Sequence, residues 1–318
     1  MHPIISFIIP CYRLPIQMLR QCIESILALS LSDEEREIIL VDDGSDPSPL
    51  FHLKDFQDQL IYIRQRNGGV SLARNRGIEL SSGQYIQFVD GDDMLIRPAY
   101  EHCIDIIRYE KDVDILLFRN TSKESTAQPS YQDEPAVSGA FYMRNNNLRG
   151  SACGYLFKRQ LLGTLRFTVG QKVAEDDEFT AQLILRAEKL ISTDAVAYWY
   201  RCRADSVLHG KDKRSTITRL DDTERAILKL YRIADRLPID ERTALERKVH
   251  QLTMDYIYNI IRLTHSETQL EKRIERLEKL GLFPLPDRSY TRKYSLFRLM
   301  TKYDLSRKML LTLSRFKS

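Results

Sequence analysis

The sequence predicts an α/β protein in which a mostly parallel sheet carries helices on both faces and a helical C-terminal region follows. The first observation is an alternation over the first hundred residues, where short β-branched runs are separated by segments with helical spacing. The second is that the apolar pattern becomes wholly helical from about residue 214. We therefore expect one domain over residues 1–210 and a helical region over residues 211–318.

The strands of the predicted sheet are four apolar runs, at residues 4–9, 37–41, 60–64 and 85–89. After Pro15, apolar residues at steps of three and four form one face of an amphipathic helix (Ile16, Leu19, Ile23, Ile26 and Leu27). The segment "VSLARNRGIELSSG" predicts a second helix, which ends at a glycine. Alternating strands and helices favour right-handed crossovers, so these strands are expected to be parallel.

The later segments are predicted in less detail. Residues 120–135 are polar and contain two prolines, which is typical of a loop, and a second mixed section continues to about residue 210. Two apolar stripes then predict core-facing helices (Leu245, Val249, Leu252, Tyr256, Ile260 and Leu263, followed by Leu270, Ile274 and Leu277).

The composition indicates a globular protein of the cytoplasm. Hydrophobic residues make up 43% of the chain and charged residues 29%, which argues against disorder. The longest apolar runs are far shorter than the roughly 20 residues that cross a bilayer, and the first residues lack the pattern of a signal peptide. The five cysteines are scattered without a Cys-x-x-Cys pair, so we expect reduced, mostly buried thiols and no zinc site.

Polar or glycine-rich segments follow all four predicted strands ("PCYR" 10–13, "DDGSD" 42–46, "RNGGVSLARN" 66–75 and "DGDD" 90–93). Ligands of open α/β sheets bind beyond the carboxyl ends of the strands. Each segment also has an ordinary interpretation: "DDGSD" suits a turn and a helix cap, the glycines suit a chain reversal or a phosphate-binding helix start, and Arg74 suits a solvated helix face.

The carboxylates Asp90, Asp92 and Asp93 surround a single glycine at the end of the fourth run. Clustered carboxylates repel one another unless a positive group lies between them. Mg²⁺ or Mn²⁺ prefers carboxylate oxygens and keeps positions open for phosphate oxygens. The cluster therefore predicts a metal that holds the diphosphate of a nucleotide.

Four segments in this order resemble the family 2 glycosyltransferases of the GT-A (Rossmann-like) fold, which make bacterial surface polysaccharides ("SFIIPCYR", "IILVDDGSD", "RNGGVSLARNRGIELSSGQYIQFVDGDDM" and "AEDDEF"). The resemblance covers about residues 3–205. It implies an inverting, metal-dependent transferase that moves a sugar from a nucleotide diphosphate donor, usually a UDP-sugar, to a hydroxyl of a glycan or lipid-linked acceptor. It implies no nucleic-acid partner.

The resemblance also implies roles for single residues. On the donor side, Pro10 and Tyr12 would shape the wall of the nucleotide site. Asp42 would hold the loop of this site, and Asp43 would contact the base. Arg74 and Asn75 would face the donor, and Asp90 would contact the ribose or sugar. Asp92 would bind Mn²⁺ or Mg²⁺, with Asp93 as a further candidate. Asp176 would be the general base, ahead of Glu175, because inversion requires a base on a loop separate from the metal. His209 is a candidate metal contact or a surface histidine.

Two positions depart from the family pattern. Arg13 stands where an asparagine is usual, which changes the nucleotide contacts or adds a phosphate partner. The segment "CGYLFKR" replaces a Trp-x-Lys type of pattern and predicts an unusual acceptor pocket.

Alternatives remain at this stage. A catalytically silent sugar-nucleotide or glycan binding protein would share the fold, and a nucleotidyltransferase is disfavoured because the first loop lacks a glycine-rich and basic signature. Residues 287–318 contain nine Lys or Arg against two Asp, interleaved with leucines. This pattern suits peripheral contact with the inner face of the cytoplasmic membrane or a helix packed on the protein.

Overall fold

The computed structural model describes residues 2–123, 128, 130–202 and 213–315. These residues form two compact units. The first unit contains residues 2–142 and 149–202, and the second contains residues 143–148 and 213–315. The predicted boundary at residue 210 lies outside the described residues.

The four predicted strands are present in the first unit, with ends that differ by at most two residues. They are β1 (Ile5–Cys11), β2 (Arg36–Asp42), β3 (Leu60–Arg64) and β4 (Tyr85–Phe88). They are parallel in the order β3-β2-β1-β4. Cys11 lies opposite Asp42, which lies opposite Arg64. The segments after all four strands therefore lie at one edge of the sheet.

Four further strands extend the sheet to eight, in the order β3-β2-β1-β4-β7-β6-β8-β5. They are β5 (Met94–Leu95), β6 (Ile115–Thr121), β7 (Tyr155–Lys158) and β8 (Leu190–Trp199). Strand β7 is antiparallel to both β4 and β6, and β5 is antiparallel to β8. Because β6 and β8 are parallel to each other, β5 and β7 run against the other strands, and the sheet is mostly parallel as predicted.

The helices of the first unit include the two that the sequence predicts. They are α1 (Ile16–Leu27), α2 (Val70–Leu80), α3 (Arg97–Tyr109) and α5 (Glu175–Ile184), with 3-10 turns at Pro49–Phe56 and Arg159–Leu162. Helix α4 (Gly139–Asn145) begins in the first unit, and its last three residues belong to the second. Helix α2 lies close to β1 because Gly77 has no side chain: a Cβ there would stand 2.2 Å from a methyl carbon of Ile8. This close approach positions α2 over the sheet.

The second unit is helical, as predicted. It contains α6 (Lys213–Ala234), α7 (Ile239–Thr264), α8 (Glu267–Lys279), α9 (Arg292–Lys302) and α10 (Asp304–Arg315). The predicted stripes are buried except at Leu263, which is half-buried. The buried guanidinium of Arg273 contacts the carboxylates of Asp221 and Glu224, at 2.8 and 3.1 Å, and so joins α8 to α6. No described helix is long and apolar enough to cross a membrane.

Candidate active site

The loop after β2 is held by the side chain of Asp42. This carboxylate is fully buried and accepts hydrogen bonds from the backbone N–H of Ser45 and the hydroxyl of Tyr62, both at 2.8 Å. Its role in holding the loop was expected. Its oxygens face the loop and β3, and a direct contact with the donor stays a prediction.

Asp43 organises the loop after β3. One carboxylate oxygen accepts from Gln65 and from the N–H of Gly68, and the other accepts from Asn67 and from the N–H of Gly69, at 2.7–3.1 Å. The N–H groups of both glycines are thus bonded to Asp43. The suggestion that the two glycines present free N–H groups to phosphate is therefore wrong for this structure. Base recognition by Asp43 stays a prediction.

The loop after β1 lies next to these residues. Pro10 belongs to the buried strand β1, whereas Tyr12 is exposed. Arg13 has φ +48°, its N–H donates to Ser45 Oγ at 2.9 Å, and its guanidinium lies 5.3 Å from the centre of the Tyr12 ring. Asparagine adopts this left-handed conformation more readily than arginine does. The backbone thus gives a physical reason for the asparagine that is usual at this position.

Arg74 is the centre of the site. Its side chain is 3% exposed and forms ion pairs with Asp90, at 3.0 Å, and with Asp176. The carboxylate of Glu175 lies 3.9 Å from the same guanidinium. The guanidinium also lies 5.3 Å from the ring of Phe167. Arg74 therefore does not belong to a solvated helix face, in contrast to Arg76, which is exposed and paired with Glu79. Helix α2 directs Arg74 towards the end of β4 and the start of α5.

The three carboxylates after β4 do not converge on one cation. Asp93 is buried and accepts hydrogen bonds from the Tyr198 hydroxyl at 2.7 Å and from the N–H of Arg201 at 2.8 Å. Burial, followed by the charge of Asp90, raises the pKa of Asp93 to about 7. Asp90 instead pairs with Arg74, and Asp92 is half-buried. The expectation that all three share one positive partner was wrong, because the chain turns Asp93 towards β8.

The described residues contain no group of three or more His, Cys, Asp or Glu side chains that could hold a metal ion. The metal role of Asp92 stays a prediction. His209, the other candidate metal contact, lies outside the described residues.

Asp176 and Glu175 begin helix α5. The preceding residue, Ala174, has φ 61°, and the first turn carries four acidic residues, which favour a helix N-terminus. Asp176 accepts from Arg74 with one oxygen and from the N–H of Ala152, at 3.3 Å, with the other. Burial raises the pKa of Asp176, while Arg74 opposes the rise, and burial raises the pKa of Glu175 to about 7. Both carboxyls are therefore more basic than surface ones.

Asn75 has a role that the sequence did not reveal. Its amide donates to the carbonyl of Phe167 and accepts from the N–H of Phe167, both at 2.9 Å. The Phe167 ring in turn stacks on Phe179 of α5 at 3.9 Å between centroids. Asn75 thus anchors the segment that covers Arg74, and its contact with the donor stays a prediction. The sequence offers no periodic signal for a pair 92 positions apart.

Four cysteines are buried and Cys202 is exposed, and all five are free, as the sequence predicted. Cys11 lies opposite Asp42 at the end of β1, and burial raises its pKa to about 12. This thiol is therefore protonated and unreactive at neutral pH.

Comparisons with known proteins identify the family of this chain. The family model described as "Glycosyl transferase family 2" matches residues 6–164, half of the chain. Glycosyltransferase GlyA of Streptococcus pneumoniae is 26% identical over 79% of this chain, but the chain spans 38% of that protein. Poly(ribitol-phosphate) beta-N-acetylglucosaminyltransferase TarP of Staphylococcus aureus is 24% identical over 83% of this chain and 84% of its own length.

Solved structures show the same fold. The S. aureus TarS fragment 1–349, in complex with UDP-GlcNAc, superposes with a TM-score of 0.69 at 17% identity, over 99% of this chain and 92% of that one. The mannosyltransferase PcManGT of Pyrobaculum calidifontis, in complex with GDP-Man and Mn²⁺, gives a TM-score of 0.58 at 14% identity, over 100% and 87%. The predicted GT-A fold is confirmed. The chain belongs to glycosyl transferase family 2.

Proposed function

We propose that this protein is an inverting glycosyltransferase that moves a sugar from a UDP-sugar to a hydroxyl of a glycan or lipid-linked acceptor during synthesis of a cell-surface polymer. The observation that carries the proposal is the contact of Arg74 with both Asp90 and Asp176. It joins the carboxylate expected on the donor side to the one expected on the acceptor side. The UDP-GlcNAc complex of TarS and the name of TarP support the donor and the polymer.

Asp176 would act as the general base. Its carboxylate takes the proton of the acceptor hydroxyl while that oxygen bonds to the anomeric carbon, and the bond from this carbon to the diphosphate oxygen breaks. Burial raises the pKa of Asp176 and makes this carboxyl more basic, and Arg74 opposes the rise because the guanidinium favours the charged form. Each bonded oxygen of Asp176 keeps a second acceptor position for the hydroxyl.

Arg74 would orient Asp176 and favour the negative charge that develops on the leaving diphosphate. Its Nε–H is buried and lacks a hydrogen-bond partner among the described residues. A buried N–H group without a hydrogen-bond partner is costly. An acceptor oxygen supplied by the bound UDP-sugar would therefore lower the free energy of the complex.

The nucleotide would lie against the loops that follow β1, β2 and β3. In this proposal Pro10 and Tyr12 form one wall, and Asp42 and Asp43 fix the backbone opposite. The hydrogen bonds from Gly68 and Gly69 to Asp43 make this loop rigid before the nucleotide arrives. A preorganised loop lowers the entropy lost on binding.

Mn²⁺ or Mg²⁺ is the proposed cofactor, with Asp92 as its protein ligand and Asp90 as the contact to the ribose or sugar. Asp92 is partly exposed, and Mg²⁺ commonly takes one or two carboxylates together with substrate phosphates, so this residue fits the ion. When bound, the ion neutralises charge on the diphosphate. The Mn²⁺ complex of PcManGT supports this choice.

We place the reaction in the cytoplasm. Five free thiols without a disulfide suit a reducing compartment.

The substitution Asp176→Asn tests the base. We expect a rate of sugar transfer about a hundredfold to ten-thousandfold lower, because the amide cannot accept the proton. The affinity for UDP, measured by calorimetry, should stay at the wild-type value. Asp177→Asn, one position along the same helix turn, is the matched control and should retain transfer.

The assay offers a panel of nucleotide sugars to glycan and lipid-linked acceptors. Transfer by Asp176→Asn at the wild-type rate would show that the base lies elsewhere, with Glu175 or Asp177 next to be tested. If the wild-type protein binds UDP-sugars and transfers nothing with any acceptor, the enzyme proposal is wrong and the silent binding protein is favoured.

A further inference from the structure

Helices α9 and α10 each expose an apolar face. On α9 and the residue after it, Leu296, Leu299 and Tyr303 are spaced by three and four positions, and on α10, Leu305, Met309 and Leu313 are spaced by four. Such spacing places each set on one side of its helix. All six side chains are between 50 and 81% exposed. We call these six residues the α9–α10 surface.

The opposite sides of both helices are well packed. Tyr294 is buried and its hydroxyl donates to the carbonyl of Pro286 at 3.1 Å. The buried Arg307 makes two hydrogen bonds to Glu271 of α8, at 2.8 and 3.0 Å. The helices are therefore fixed in one orientation, and the α9–α10 surface faces away from the core of its unit.

Cations that form no ion pair with a described residue accompany the apolar residues, although Lys293 and Lys302 lie over the rings of Tyr258 and Tyr303. Arg292 and Lys293 begin α9 and Lys302 ends it, and all three are exposed. None of the three has a carboxylate within 4 Å among the residues that the structure describes, although Arg298, Arg307 and Lys308 are paired. This end of the second unit thus combines exposed leucines with uncompensated positive charge.

We propose that the α9–α10 surface rests on an anionic lipid bilayer. Helices with exposed leucine and aromatic residues on one face and Lys or Arg beside them are suited to the headgroup region, where the apolar groups are buried and the cations meet lipid phosphate. A second copy of the chain is the rival occupant, but lysines are depleted in protein interfaces. The proposal is independent of the glycosyltransferase proposal, because it uses none of the proposed active-site residues.

Vesicle flotation of the full chain tests the inference. The protein should float with vesicles of phosphatidylcholine and phosphatidylglycerol but not with phosphatidylcholine alone. Binding should fall steeply at 1 M salt, where the Debye length is about 3 Å. Flotation with both kinds of vesicle to the same extent, unaffected by salt, would contradict the role of the cations.

Matched variants locate the surface. Leu305→Glu should lower the partition coefficient at least about tenfold, because a leucine that was buried in the bilayer is replaced by an anion. The control Ile239→Glu changes an equally exposed residue, also in the first turn of a helix of the same unit, and should bind as the wild type does (Leu305 81% and Ile239 73% exposed). For the charge, Lys293→Glu should weaken binding, whereas Lys272→Glu, at an exposed position of α8, should not.

Circular dichroism checks that each variant folds, and Leu299→Glu replaces Leu305→Glu if the latter does not. Wild-type binding by both of these leucine variants would overturn the proposal. A second result would also overturn it: the wild type binds no vesicles and forms a dimer, and Leu305→Glu dissociates that dimer. The surface would then be a contact between copies of the chain.

Discussion

Arg74 of α2 bonds the carboxylate of Asp176 at the start of α5, although the two residues are 102 positions apart in the sequence. The pair is largely withdrawn from water, since Arg74 is buried and Asp176 is partly covered. Breaking a buried ion pair from one side leaves the other charge uncompensated, which is far more costly than losing a surface pair. The contact thus links the stability of the first unit to the ionisation of the proposed base.

Arg74→Met should lower the free energy of unfolding by about 3–5 kcal/mol, because Asp90 and Asp176 lose their shared cation. Arg76→Met on the same helix should change it by less than about 0.5 kcal/mol, since Arg76 is exposed. Urea denaturation measures both values.

The pH profile gives a second test: the acid limb of kcat/KM should move to higher pH in Arg74→Met, because the guanidinium that opposes the raised pKa of Asp176 is gone. An acid limb at the same pH in both proteins would show that Arg74 does not influence the pKa of the base.

Asp92→Ala should abolish the Mn²⁺-dependent part of the thermal stabilisation by UDP while the apo protein keeps its fold, because a carboxylate ligand is lost from the proposed metal site. Asp93→Asn is the comparison. Its carboxyl bonds Tyr198 and Arg201, and its pKa is raised to about 7, so the amide replaces a group that is often protonated. Metal dependence should persist there. Persistent metal dependence in Asp92→Ala would remove Asp92 from the metal site.

Asn75→Ala should destabilise the first unit by roughly 1–3 kcal/mol, because the buried N–H and C=O of Phe167 lose their partner. Ser71→Ala on the same helix is the control: the Ser71 hydroxyl is buried without a partner among the described residues, so its removal should be neutral or stabilising. Denaturation and UDP calorimetry are run together. A loss of UDP affinity without a loss of stability would instead assign Asn75 to the donor.

His250 should make the second unit sensitive to acid. It stacks on Tyr290 and bonds its hydroxyl at 2.9 Å, and burial, followed by the charge of Arg288, lowers its pKa from 6.5 to about 4. Between these two values the unfolded chain binds more protons than the folded chain, so stability falls as the pH is lowered from about 6.5 to about 4. His250→Gln should flatten this slope in thermal unfolding, and His52→Gln, at an exposed histidine, should not. Equal slopes in all three proteins would contradict the assignment.

The sequence by itself determined the first four strands, several of the helices and the family. Strand β1 is rich in apolar and β-branched residues, the stripes of α7 and α8 have the helical period, and the motifs at the strand ends are local in the chain. Patterns of this kind follow from the geometry of the helix or strand itself, so they can be recognised within a short segment. The left-handed backbone at Arg13 is a local feature as well. The sequence did not reveal it, because arginine stands there in place of the usual asparagine.

Tertiary structure alone decided which polar groups satisfy one another. The three aspartates after β4 are neighbours in sequence, yet Asp90 pairs with Arg74 while Asp93 turns to Tyr198 of β8. The glycines after β3 direct their N–H groups to Asp43 because β2 and β3 are adjacent and parallel. These partners are 16 to 105 positions apart, and the sheet order and helix packing that bring them together follow from burial of the whole core rather than from any single segment.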